Sequence, residues 1–360
     1  MGRYKVWVYA ICRDEARFAK RWMDSMGEAD GVAVLDTGSA DGTPELLRAL
    51  GASVTEERIE PWRFDTARNR SLELVPEEAD VCVCTDLDEV FTPGWRAALE
   101  RAWRPEAGRA VYPYVWSFLP DGTPGHTFWY EKIHSRRGWR WTHPVHEVLE
   151  RTGEDTPTLT VRVPDIRLDH HPDPDKSREQ YLPLLELAVR EAPEDDRNAH
   201  YLGREYLFRG RWDDCIRTLR RHLQLPTATW APERAASMRY IARAYAEKGD
   251  AARAQGWFLR AAAEAPELRE PWVDGALFLY GQEDWEGVAY FTGKALAIAE
   301  RPETYLCEAR AWGSLPWDLR SIALYRLGRR QEALEAVRRA LALSPEDGRL
   351  RANAALMEQG

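Results

Sequence analysis

An α/β domain followed by an all-α repeat solenoid is the architecture this sequence predicts, with the change near residue 175. Three observations predict it. Strand-like and helix-like segments alternate over the first half, the second half is helical in its periodicity throughout, and that second half repeats itself. A chain of 360 residues allows two domains of roughly 150 to 200 residues, each large enough to bury a core, and we divide it at 1–175 and 176–360.

The first half justifies its assignment element by element. Residues 5–11 are apolar and β-rich. Residues 16–26 place Phe18, Trp22 and Met26 on one helical face. A second strand over 31–35 runs into Asp36-Thr37-Gly38-Ser39-Ala40-Asp41-Gly42-Thr43, after which Pro44 opens a helix capped by Thr43. Residues 52–55 form a third strand, 65–75 a helix, and 80–85 a fourth strand ending in Asp86-Leu87-Asp88-Glu89. A helix follows to about residue 103. Such a succession implies a mostly parallel sheet with helices on both faces. From 110 to about 171 the pattern is β-like but irregular, and a Pro-rich junction, Pro172 to Asp175, ends the domain.

Past that junction the motif Leu202-Gly203-x2-Tyr206-x3-Gly210-x4-Cys215 returns as Ile241-Ala242-x2-Tyr245-x3-Gly249-x4-Ala254 and as Leu324-x3-Gly328-x4-Ala333. A degenerate copy runs from Trp272 through Trp285 and Ala295 to Pro302. The four units resemble tetratricopeptide repeats (TPRs), helix pairs that bury their apolar faces only by stacking. Spacings of 39, 34 and 45 between Cys215, Ala254, Val288 and Ala333 imply insertions in two linkers.

Composition narrows the function classes. An apolar fraction of 44% excludes a disordered chain, and no segment reaches the roughly 18 uncharged apolar residues of a membrane span. Residues 1–175 carry 22 Lys+Arg against 31 Asp+Glu, whereas 176–360 carry 28 of each. Without a basic surplus, nucleic acid is disfavoured as a partner. Five cysteines without disulfide-framework spacing, and no secretory leader, lead us to expect a cytoplasmic protein. Cys82 and Cys84 alternate onto one face of an apolar strand, as buried structural residues would.

The chemistry-bearing residues gather at predicted strand ends, where open α/β sheets bind ligands. They are Arg13-Asp14-Glu15, the Asp36–Thr43 loop, Phe64 with Ala67-Arg68-Asn69, and Asp86-Leu87-Asp88-Glu89. Each alone reads equally as a turn or a helix cap. In this order the set resembles family 2 glycosyltransferases of the GT-A fold, and within them the lipopolysaccharide-core glucosyltransferase-like subgroup, some of which carry TPR tails. The resemblance implies a metal-dependent inverting hexosyltransferase that moves a sugar from a nucleotide-sugar donor, with UDP-glucose favoured.

It further implies a divalent cation, Mn²⁺ or Mg²⁺, held by Asp88 and by His171 or His170, with His171 preferred. Arg13, Glu15, Asp36, Ser39, Asp41, Arg68 and Asp86 would contact the donor. Glu147, or else His146, in Trp141-Thr142-His143-Pro144-Val145-His146-Glu147 would take the acceptor's proton. A His-Glu pair that merely stiffens a loop is the alternative at that position, and an ion pair of Arg68 with Asp65 or Asp88 the alternative for Arg68. A protein or glycan acceptor is expected ahead of nucleic acid, with self-association through the repeats possible. Two alternatives stand beside this reading: a TPR scaffold or adaptor whose first domain is an inactive nucleotide-sugar binder, and a glycosyltransferase acting on a modified nucleobase.

Overall fold

The computed structural model describes residues 3–119, 121–153, 156–173 and 178–359. It divides into two compact units, Met1–Ala188 and Val189–Gly360. Residues 174 and 175 of the expected junction lie outside the described residues. The division itself falls inside a helix, because the Tyr181 ring packs edge-on against Phe64 and His146 of the first unit.

In the sheet unit, β1 (Val6–Cys12), β2 (Gly31–Asp36), β3 (Ser53–Glu56) and β4 (Val81–Cys84) pair in parallel in the order β3-β2-β1-β4. Helices α1 (Ala16–Met26), α2 (Thr43–Ala49) and α3 (Phe64–Glu73) connect them. Thus far the alternation read from the sequence holds. Next come β5 (Glu89–Phe91), α4 (Trp95–Ala102), β6 (Ala107–Phe118), β7 (Pro124–Ser135), β8 (Trp139–Thr142), β9 (Val148–Arg151), β10 (Leu159–Arg162), β11 (Leu168–His170) and α5 (Tyr181–Glu191).

The mostly parallel sheet is corrected to a mixed one. β7 runs antiparallel to both β4 and β6, and the main path continues through β6 and β11 to β5. Register shifts between Ala110 and Tyr112 and between Val115 and Ser117 interrupt the alternation of β6, so a 12-residue strand reads as irregular in sequence.

One sheet face buries Trp22, Trp95, Leu99 and Tyr112. The other buries Tyr9, Cys82, Cys84 and Trp141, and burial pushes the Cys82 thiol up to about 12. On that second face the Trp141 indole N–H donates to the Tyr9 hydroxyl at 2.9 Å, which donates to His134 Nε2 at 2.7 Å; His134 Nδ1 donates to the Ser135 carbonyl at 2.8 Å. Burial holds His134 neutral, lowering its pKa from 6.5 to about 3.

The unfolded chain therefore takes up a proton below pH 6.5 that the folded chain refuses until about pH 3. His134 leaves stability intact above pH 6.5 and erodes it as pH falls, by up to about 1.4 kcal/mol per unit. Urea midpoints at pH 7, 6 and 5 should fall less steeply in His134→Gln than in the parent. Equal slopes would contradict this.

The helical unit contains α6 (Asp196–Phe208), α7 (Trp212–His222), α8 (Ala231–Glu247), α9 (Ala251–Glu264), α10 (Arg269–Gly281), α11 (Trp285–Ala297), α12 (Ala309–Trp312), α13 (Leu315–Arg326), α14 (Arg330–Leu343) and α15 (Gly348–Gln359). Four pairs, α6/α7, α8/α9, α10/α11 and α13/α14, are the expected repeats, and α12 lies in the longer insertion. Three of the intra-pair turns place glycine in the left-handed region, at Gly210, Gly249 and Gly328. Glu283 takes that conformation in the third pair, which is why this repeat is degenerate in sequence.

Close approach of the paired helices explains the small residues of the motif. A Cβ on Gly275 would lie 2.4 Å from the Phe291 ring, and one on Gly203 would lie 2.2 Å from Leu219. Gly275→Ala should cost roughly 1 to 3 kcal/mol by forcing the pair apart, despite alanine's better helix propensity. A denaturation midpoint equal to or above the parent's would show that the pair yields freely.

Among the described residues, no helix is long and apolar enough to cross a membrane. All five cysteines are free and buried.

Candidate functional site

The loops after β1 and β2 are stitched to each other. Asp36, 1% exposed, accepts the amides of Gly38 and Ser39 at 2.9 Å each, and both the Ser39 hydroxyl and the Cys12 thiol donate to its other oxygen. Ser39 Oγ accepts the Asp14 amide at 2.8 Å. Asp41 accepts the Ala16 amide at 3.0 Å, capping the first turn of α1, and binds the amide and hydroxyl of Thr43. Partial burial pushes the Asp41 carboxyl up, but these bonds from Thr43 and Ala16 bring it below its usual value. Glu15 is buried beside them and Arg13 is exposed, 3.7 Å from Asp14. The carboxylates of Asp36 and Asp41, expected to meet a donor, thus build the loop itself.

A second group is an ion chain under the ends of β4 and β7. Arg68 on α3 is 3% exposed; its Nε donates to Glu147 at 2.8 Å, its Nη2 to Asp86 at 2.7 Å and its Nη1 to the Cys84 sulfur at 3.4 Å. Lys132 on β7 donates to the other oxygen of Asp86 at 3.2 Å. Asp86 is therefore held between two buried cations, with a third of its side chain still open to water. The Arg68 pair is with Asp86 and Glu147, not with Asp65 or Asp88.

Asn69, the next residue, clamps β8 by donating to the Trp141 carbonyl at 2.8 Å and accepting its amide at 2.9 Å. Sequence reasoning missed Lys132. Its signal was a cation placed within the aromatic alternation of Phe128 and Tyr130.

The third group joins Asp88 to His170. His170 Nε2 lies 3.4 Å from Asp88 Oδ2, its Nδ1 donates to the Trp116 carbonyl at 3.2 Å, and its ring stacks on Trp116. Burial works against the imidazolium, yet the Asp88 carboxylate raises the net pKa of His170 above 6.5. His171, the preferred metal ligand in sequence, gives only its backbone amide to the Asp88 carbonyl at 2.8 Å; its ring stacks on Phe118. Of the two histidines, His170 is the one whose side chain meets the Asp88 carboxylate.

A cavity of about 520 Å³ opens beside these residues, lined by Phe18, Arg21, Trp116, Phe118, His170 and His171. Buried Glu89 sits beneath, accepting the Tyr114 hydroxyl at 2.8 Å. His146 takes a left-handed backbone (φ 52°) and meets the Tyr181 ring.

The helical unit has a cavity of its own, about 330 Å³, lined by Arg204, Phe208, Tyr240, Arg243, Tyr305 and Arg310, among others. Its walls are α6 and α8 with the 305–310 segment. Glu308, at its edge, is neutralised by Arg239 at 2.5 Å and Arg310 at 2.8 Å. Arg204 and Arg243 have no acidic partner among the described residues, and the Arg204 guanidinium lies over the Tyr201 ring at 4.5 Å. The cavity is cationic and aromatic.

Comparison with known proteins returns the repeat. Residues 314–347, which are α13 and α14, match the tetratricopeptide repeat family model. A TPR repeat-containing protein of Synechococcus elongatus is 25% identical over 170 residues, 46% of this chain. The match spans 39% of that relative's length.

Among solved structures, the chain is similar to yeast Tom70 (15% identity, TM-score 0.39, 52% of this chain and 37% of that one). It is also similar to YrrB, described as a TPR protein with an unusual peptide-binding site (14% identity, TM-score 0.39, 49% and 82%).

The resemblance to family 2 glycosyltransferases is overturned by these matches, since the family model and the curated relative both identify TPR proteins. The physical reason for the misreading lies in the loop after β2. Asp-x-Gly-Ser and Asp-Gly-Thr, which carried the resemblance, are also what an Asx turn and a helix cap require.

Proposed function

We propose that this chain is an adaptor whose helical unit binds an acidic segment of a partner protein. The TPR match at residues 314–347 supports a protein-binding role. The observation that carries the choice of ligand is the pair of unpaired guanidiniums, Arg204 and Arg243, in a cavity walled by tyrosines. Arginine forks recognise carboxylates bidentately, and aromatic walls accept the apolar side chains between them.

The test is fluorescence anisotropy of the full chain with labelled peptides of alternating Glu and Leu against the same peptides with Lys. The acidic series should bind and weaken with added salt. Binding of the basic series alone would refute the reading. Cytoplasmic placement belongs to the same proposal, which five free cysteines support.

A second reading, for the sheet unit, is favoured by Asp88 and His170. A carboxylate and an imidazole 3.4 Å apart suit adjacent ligands of one divalent cation, Mn²⁺ ahead of the oxygen-seeking Mg²⁺, which would neutralise the diphosphate of a nucleotide-sugar. On this reading the unit is a sugar-transferring enzyme. Glu147, whose Oε1 is engaged by Arg68, would then accept the acceptor's proton at Oε2. Calorimetry with UDP-glucose should give heat that needs Mn²⁺ and is lost in Asp88→Asn; heat indifferent to both would remove this reading and leave the adaptor.

A further inference from the structure

Three helices of the repeat unit place His200, His222 and Glu233 together in the core. They come from α6, α7 and α8, and the two histidines are 0% exposed and Glu233 4%. Their ligand atoms all lie within 4.8 Å of one another, and His222 Nε2 is 3.4 Å from Glu233 Oε1. That separation matches the edge of a tetrahedron with bonds of about 2.0 Å.

His200 Nε2 and both ring nitrogens of His222 have no hydrogen-bond partner in the structure. Buried polar nitrogens without partners are costly and call for an explanation. The outer contacts are those that orient metal ligands. His200 Nδ1 bonds the Ser237 hydroxyl at 2.7 Å, presenting Nε2 to the cluster, and Tyr305 donates to Glu233 Oε2 at 2.7 Å, presenting Oε1.

We propose that His200, His222 and Glu233 form a structural transition-metal site, with Zn²⁺ the favoured ion, that ties α6, α7 and α8 together. Two imidazoles and one carboxylate suit zinc, whereas Ca²⁺ and Mg²⁺ require oxygen ligands. The protonation states agree: burial holds the His200 ring neutral, with a pKa near 3, and Glu233 stays ionised at about 2 because the attraction of the His222 ring 3.4 Å away and the bond from Tyr305 outweigh burial. Arg197 and Arg204 also face the cluster and oppose a cation, so the Glu233 charge is essential to it. Enclosure of all three residues fits a role in stability rather than turnover, with binding coupled to folding.

The test uses the full chain, stripped with EDTA and dialysed. One Zn²⁺ per chain should survive desalting in the parent and in Asp88→Asn, which removes the cation ligand proposed in the sheet unit. With zinc at a thousandfold excess over Kd, Tm should rise by roughly 8 °C or more. His222→Gln and Glu233→Gln should each lose the bound zinc and the rise, with circular dichroism confirming their folds. The parent also decides the matter alone, since bound Co²⁺ should show the intense visible band of tetrahedral coordination. A weak octahedral spectrum, no Tm response in the parent, or zinc retained by His222→Gln would overturn the site.

Discussion

Arg68→Met should destabilise the sheet unit by about 3 kcal/mol, a fall in its Tm of roughly 6 to 12 °C. The Arg68 side chain is 4% exposed, and its guanidinium is the shared partner of Asp86 and of Glu147, whose side chain is 11% exposed. Methionine fills the stem's volume but leaves Glu147 buried opposite nothing. Asp86 suffers less, because Lys132 still reaches it and a third of its side chain meets water. Adding Glu147→Gln should recover much of the loss, since the stranded charge is then gone. Arg68→Lys should not, because an ammonium cannot span both acids as the planar fork does. Differential scanning calorimetry checks all three variants; a single-variant loss below 1 kcal/mol would show that Glu147 relaxes into solvent.

In the helical unit, Arg239→Met should cost about 2 to 3 kcal/mol. Arg239 is 2% exposed and holds Asp274 at 2.8 Å and Glu308 at 2.5 Å. Both acids keep Arg310, at 2.7 and 2.8 Å, so the loss should be smaller than at Arg68. Freed from Arg239, Glu308 turns the adjoining cavity less cationic. The variant should therefore bind acidic peptides more weakly even at temperatures where it is fully folded. A stability loss with unchanged peptide affinity would separate this ion network from the cavity.

The repeats were legible in the sequence because their determinants are local. Gly203 of the motif sits where a neighbouring helix leaves no room for a Cβ, and the glycines of the turns sit where the backbone is left-handed. The first four strands were legible for the same kind of reason, being short apolar runs between capped helices. What stayed hidden was non-local.

The bulges of β6 disguised its alternation, so the antiparallel part of the sheet and its Lys132 were not seen. Nor could spacing reveal that Arg68 would choose Asp86 and Glu147, which lie 18 and 79 residues away. The loop after β2 misled for a further reason: the residues that cradle a ligand are chemically those that fold a turn, and only the completed bonds of Asp36 and Asp41 tell the two apart. His200, His222 and Glu233 share no motif at all, because three separate helices bring them together.

The adaptor reading turns on Arg204 and Arg243. Titrating the acidic peptide into the full chain and into the Arg204→Ala/Arg243→Ala variant, followed by fluorescence anisotropy, tests it most directly. Loss of two charge-assisted contacts should weaken binding at least about a hundredfold and flatten its salt dependence, with the fold unchanged by circular dichroism. Equal affinity and equal salt dependence in the two proteins would contradict the account.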